Sequence, residues 1–156
     1  MNGVIRGFAM KQPAEFYNIV YDNKLTDWIC SGLKTDKNWL EGEYYTIGFK
    51  SGNKLLGGLI YHNIRPKRDL WMTIYTTDKK WCNRRALKII FGLAFNLWQV
   101  ERISISVSIN NKSCIKLVEK LGFKKEGLLR KYMDDGSDCL FYGMLKSENE
   151  WSVKNE

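Results

Sequence analysis

Four cysteines, one histidine and a cluster of cations are the side chains here that could do chemistry. Cys30, Cys82, Cys114 and Cys139 form no C-x-x-C pair, and His62 stands alone. A zinc site needs about four nitrogen or sulfur ligands at close spacing. The pattern therefore excludes a metal site, and the cysteines read as reduced thiols packed like small hydrophobes. His62 closes a strand-like run and is of a type that can take a proton from an amine near neutral pH. A lone histidine can equally be structural, and both readings stand. Net charge is +8 with a pI near 9.3, which suits nucleic acid, an anionic membrane or a phosphate-rich small molecule, or simply keeps the chain soluble. Lys79, Lys80, Arg84 and Arg85 gather at a helix start, where positive charge is locally unfavourable. That mismatch points to an anionic ligand, while a simply solvated helix start is the alternative reading of the same cations.

These groups need elements to hold them. The chain has 156 residues, 44% hydrophobic and 27% charged, which fits one folded domain with one core. No apolar run approaches the roughly 20 residues that span a bilayer. The first ten residues lack a secretory signal's apolar stretch, so the cytoplasm is the expected location. A strand is expected over residues 4–9, a helix over 14–20 behind Pro13, and a second helix N-capped by Thr26 and running to about Leu33. From Tyr44 the period shortens. Residues 44–50 and 54–63 read as strands joined by Ser51-Gly52-Asn53, and 70–77 as another strand. Residues 83–98 carry too broad an apolar stripe for a surface helix, so that helix is expected to be largely buried. Residues 102–109 alternate, with Ile103, Ile105, Val107 and Ile109 on one face and Arg102 and the serines on the other, left free. A helix over 113–121 should stop at Gly122. Strands over 123–132 and 139–145 follow, and the polar tail from Ser147 is expected to fray. Strand, buried helix, strand implies a right-handed parallel crossover, and hence an α/β fold.

Asn110-x-x-Ser113, followed by Glu119-Lys120-Leu121-Gly122-Phe123-Lys124-Lys125-Glu126-Gly127-Leu128-Leu129-Arg130, resembles a segment of the GNAT N-acetyltransferases. The similarity is to their Rim-type branch, the ribosomal-protein N-terminal acetyltransferase-like enzymes. Ala94-Phe95, Arg102-Ile103, Asp135-Gly136, Asp138 and Tyr142 extend it, so that it covers residues 70–146. Trp71-Met72-Thr73 with Trp81-Cys82-Asn83-Arg84 is similar to GNAT relatives encoded by tailed phages, which would place the protein in a host cytoplasm. The resemblance implies a GNAT fold with a mixed, mostly antiparallel central sheet of about seven strands and helices on both faces. One domain would span residues 1–146, with 147–156 as a polar tail.

In function the resemblance implies acetyl transfer from acetyl-CoA to a primary amine: a protein N-terminus, a lysine or a small molecule. No metal and no membrane take part, and a second copy of the chain is an allowed partner. Pantetheine contacts fall to Ile74, Tyr75 and Thr76. The pyrophosphate falls to Lys79, Lys80, Trp81, Cys82, Asn83, Arg84 and Arg85, at the start of a helix. Asn110 would orient pantetheine or Ser113. Ser113 would be the general acid or else a helix cap, because the position of the usual family tyrosine is Val118. Asp69 or His62 would be the base, although Asp69 also reads as an ordinary surface charge. The family's loop pattern Q/R-x-x-G-x-G/A meets Asp78-Lys79-Lys80-Trp81-Cys82-Asn83 here, without either glycine. Either the cations compensate, or the site is degenerate and the chain is a catalytically weak or inactive binding module for a host protein or nucleic acid.

Overall fold

A computed structural model describes residues 18–20 and 23–152. The elements are β1 (Asn18–Val20), α1 (Asn23–Gly32), β2 (Tyr45–Ser51), β3 (Lys54–Arg65), β4 (Asp69–Thr76), α2 (Arg84–Gly92), β5 (Arg102–Ser108), α3 (Lys112–Leu121), β6 (Lys124–Leu129) and β7 (Cys139–Leu145). Hydrogen-bonded neighbours run β1-β2-β3-β4-β5-β7-β6. β4 and β5 are parallel with α2 between them in the chain, whereas β1/β2, β2/β3, β5/β7 and β6/β7 are antiparallel. This is a mixed-sheet α/β fold. Among the described residues no helix is long and apolar enough to cross a membrane. The described residues fall into two compact units: those up to Ile64 with Thr73–Ala86, and Arg65–Met72 with those from Leu87 onward.

In the first unit, β2 and β3 pair with Gly48 opposite Gly58 and Phe49 opposite Gly57. Successive strand residues point to opposite faces. Gly58 lies under Ile29 of α1, and Gly57 lies under the Trp81 indole. α1 thus covers one face and the turn holding Trp81 covers the other. Leu25, Ile29, Cys30 and Ile60 form the α1-side core, edged by Trp28, Trp39 and Tyr75. Each large apolar side chain buried this way contributes about 1.5–3 kcal/mol.

Two expectations need correcting in this unit. α1 begins at Asn23, so Thr26 is not its cap but an interior residue, 2% exposed. The apolar pair Leu25 and Ile29, four residues apart, pulls that turn onto the sheet. Residues 18–20, expected to be helical, instead extend β2 as a strand, with Asn18–Val20 opposite Lys50–Gly48. Ile19 and Val20 are β-branched, and a ladder partner decides the matter. The expected strand over 4–9, Pro13 and residues 14–17 lie outside the described residues.

In the second unit, Ile103, Ile105 and Val107 of β5 stand opposite Met144, Tyr142 and Leu140 of β7, all buried. The opposite face of β5, expected to be free, is open at the exposed Ser106 but occupied at its start. Arg102 Nε donates to Ser104 Oγ at 3.0 Å, and Ser104 is 4% exposed. The same guanidinium grips Glu126 with two bonds, of 2.5 and 3.3 Å, over Gly143, where a side chain would collide. Phe91 stacks with Phe95, ring centroids 6.2 Å apart. α2 then passes into a π-helical turn, Leu93–Leu97. The wider turn carries Leu97 off the buried stripe, leaving it 51% exposed. The expectation of a buried helix to residue 98 therefore fails at its end.

α3 stops at Gly122, which has φ 102°. Phe123 N–H donates to Val118 O and Gly122 N–H to Glu119 O, both at 3.1 Å, so the last carbonyls are satisfied. Of the tail expected to fray, residues 147–152 are anchored, and 153–156 lie outside the described residues. Trp151 Nε1 donates to Leu121 O at 2.7 Å, and Asn149 Nδ2 to Ser152 Oγ at 2.6 Å. Gly122→Ala forces an L residue into the left-handed region and is expected to cost on the order of 1–3 kcal/mol. Urea unfolding of the two proteins measures it.

Candidate functional site

The connection from β4 to α2 is tied at nearly every residue. Thr77 N–H and Asp78 N–H both donate to Leu56 O, at 2.9 and 3.0 Å, and the Thr77 hydroxyl reaches Leu55 O and Leu56 O at 3.1 Å. Asp78 caps a 3₁₀ turn over Lys79–Trp81 by accepting from Lys80 N–H at 3.0 Å. Trp81, in a position that the family pattern gives to glycine, turns inward and is 1% exposed. Its ring stacks on Phe49 at 5.0 Å and 16°, and Nε1 donates to Thr76 Oγ1 at 3.3 Å. Asn83, at the second missing glycine, caps α2: its Oδ1 accepts from Ala86 N–H at 2.9 Å. Lys79, Lys80 and Arg84 are exposed, while Cys82 and Arg85 are half-buried.

The three β4 residues expected at pantetheine use their side chains elsewhere. Ile74 is in the core at 6% exposure, and Tyr75 packs over Gly32 and edge-on to Trp28 at 5.0 Å. Thr76 holds Trp81. What remains for a ligand is their backbone. The parallel ladder of β4 with β5 consists of Asp69–Trp71 against Arg102–Ser104.

Ser113 is exposed in the first turn of α3 and donates to Asn111 Oδ1 at 3.2 Å. The cap of α3 is Asn111, whose Oδ1 also accepts from Cys114 N–H at 3.2 Å. The cap reading of Ser113 is thus corrected. Asn110 is exposed and its backbone N–H donates to Ser108 Oγ at 3.2 Å. Val118 is fully buried, so no side chain at that position reaches a ligand. Asp69 is engaged by Arg65, Nε to Oδ1 2.5 Å. Burial pushes the Cys114 thiol up to about 11, which leaves it a poor nucleophile at neutral pH. All four cysteines are free, and among the described residues no group of three His, Cys, Asp or Glu could hold a metal.

His62 is 8% exposed and sits edge-on to Trp39 at 4.9 Å. Its Nε2 lies 2.9 Å from Thr73 Oγ1. Burial lowers its pKa to about 4, against the opposing effect of a hydrogen bond with the Asn63 side chain. Thr73 was missed by the sequence reading. The available signal was symmetry: residues 62 and 73 are equidistant from the connection at Pro66–Asp69.

The chain matches no family model. Over 129 residues, 80% of this chain and 69% of the relative, it is 25% identical to "Probable N-acetyltransferase YjcK" of Bacillus subtilis. Among solved structures, Mycobacterium smegmatis RimJ in complex with CoA-disulfide superposes with a TM-score of 0.60 at 24% identity, covering 89% of this chain and 73% of that one. A spermidine N-acetyltransferase, SpeG of Vibrio cholerae, superposes at 0.58 with 17% identity, covering 81% and 76%. At these identities the structural likeness is one of fold. Together with the β4-α2-β5 crossover, it shows that the chain has the fold of these acetyltransferases.

Proposed function

We propose that the chain transfers an acetyl group from acetyl-CoA to a primary amine. The observation that supports this reading is the connection from β4 to α2: three exposed cations, Lys79, Lys80 and Arg84, cluster at the start of α2, where a helix N-terminus favours a phosphate. The residues fit coenzyme A. Their side chains are exposed, and the carboxylate of the nearby Asp78 is turned to Lys80 N–H. Because Lys80, Cys82, Asn83 and Ala86 spend their N–H groups within the turn, side-chain charge rather than a row of amides supplies much of the hold. When bound, acetyl-CoA supplies an activated thioester.

The chain's own groups divide the remaining work. Backbone amides and carbonyls of Thr73–Thr76 align the pantetheine arm, and Ser113 holds a proton at Oγ for a departing thiolate. His62 is no base for an ammonium: with a pKa of about 4 it is neutral at pH 7 and releases a proton far more readily than an amine of pKa near 8–10 does. Its part is to fix Thr73. Asp69 is turned to Arg65.

Acetyl-CoA is expected to raise the melting temperature of the purified protein; no shift at millimolar cofactor would remove the reading. Arg84→Ala is expected to weaken CoA binding roughly tenfold at low salt, and the difference should narrow as salt rises. Calorimetry at two ionic strengths reads both. Ser113→Ala should keep CoA affinity while turnover with an accepted amine falls about a hundredfold. The pH dependence of stability has a definite sign. Between pH 6.5 and about 4 the unfolded chain takes up a proton that folded His62 refuses, so stability falls as pH is lowered through that window. The loss reaches about 3 kcal/mol below it. His62→Gln should flatten that part of the profile in urea titrations.

A further inference from the structure

Trp81 and Asn83 replace the two glycines of the family loop, and a loop glycine serves to keep a Cβ away from a phosphate. The direction of the Trp81 side chain removes that objection at residue 81. Its Cα–Cβ bond leads into the core, where the indole is 1% exposed, stacked on Phe49 and bonded to Thr76. The opposite side of the same backbone carries no side chain, as it would with glycine. The missing space has moved to β3, where a Cβ on Gly57 would overlap the indole. The neighbouring ties, Thr77 and Asp78 to Leu56 O, fasten the same turn to the same stretch of β3.

We infer that Trp81 is a positioning residue for the anion-binding turn: its indole, seated over Gly57, holds the backbone of residues 79–83 in the course that presents Lys79, Lys80 and Arg84 to the phosphates. This rests on the acetyl-CoA reading above. It carries a consequence opposite to the sequence pattern, because restoring glycine at 81 should harm phosphate binding rather than improve it.

The test compares CoA with pantetheine, which lacks every phosphate, by equilibrium binding to the full-length protein. In the native chain CoA binds more tightly than pantetheine. Trp81→Gly is expected to weaken CoA at least roughly tenfold and pantetheine, which meets only the neighbouring strand, much less. Trp81→Phe, which keeps a ring on Phe49, recovers most of the loss. Gly57→Ala leaves the turn's sequence intact but displaces the indole, and it should reproduce the Trp81→Gly result. Circular dichroism establishes that each variant is folded; if Trp81→Gly is not, Trp81→Leu and Gly57→Ala take its place. Undiminished CoA binding in the folded variants, or equal loss of CoA and pantetheine, overturns the inference and leaves Trp81 as core only. A native chain that does not distinguish CoA from pantetheine overturns the acetyl-CoA reading itself.

Discussion

A tryptophan ring can lie flat against a strand only where the strand gives up a side chain, and in the first unit that exchange between Gly57 and Trp81 organises everything up to α2. Glycine in a strand costs roughly 0.5–1 kcal/mol in backbone entropy. Removing a buried tryptophan ring costs about 3–5 kcal/mol. The exchange therefore favours the buried ring by a wide margin, provided that the ring keeps its partners. Phe49 stands opposite Gly57 in the β2/β3 register, so the stacking partner and the vacant slot come from one rung of the ladder. With Trp81 seated, Asn83 follows two residues later at the position from which it caps α2.

The electrostatics of the same turn run against local preference. Cations near a helix N-terminus oppose the macrodipole, each by about 0.3–1 kcal/mol at an exposed position. Among the described residues Lys79, Lys80 and Arg84 form no ion pair, whereas Arg102 pairs with Glu126, Arg65 with Asp69 and Lys124 with Glu148. Asp78 is near enough in sequence to do so, yet it spends its oxygen on a backbone cap. A concentration of charge that folding leaves uncompensated is what an external polyanion compensates.

Much of the frame was legible because it follows from local pattern. The Tyr45–Arg65 hairpin, the alternation of β5 and the stop at Gly122 each rest on residues within one or two turns of one another. What stayed hidden depends on partners distant in the chain. Residues 18–20 become a strand only because β2 offers an edge. Ser104 looks like a solvent-facing serine until Arg102 and Glu126 close over Gly143. Trp81 reads as an obstruction so long as only its neighbours in sequence are considered; its inward course becomes visible only when Gly57 is known to lie beneath it. The anchoring of Trp151 to Leu121 has the same character. At the candidate site, Lys79, Lys80, Arg84 and Ser113 are suggested by the sequence alone, while the contact of His62 with Thr73 and the Asn111 cap required geometry.

The state of His62 bears on which amines the chain can serve. A buried imidazole with a pKa of about 4 holds a hydrogen bond to Thr73 well and holds a proton poorly. With Asp69 bonded to Arg65, neither of the two groups that could have acted as a base is poised to remove a proton from an ammonium. An acceptor's own acidity sets how much help its deprotonation needs. An α-amine with a pKa near 8 is roughly a tenth neutral at pH 7, whereas a lysine with a pKa near 10.4 is neutral in fewer than about one molecule in a thousand. That difference of about two orders of magnitude is what a base near the acceptor amine would have to relieve for a lysine and hardly at all for an α-amine.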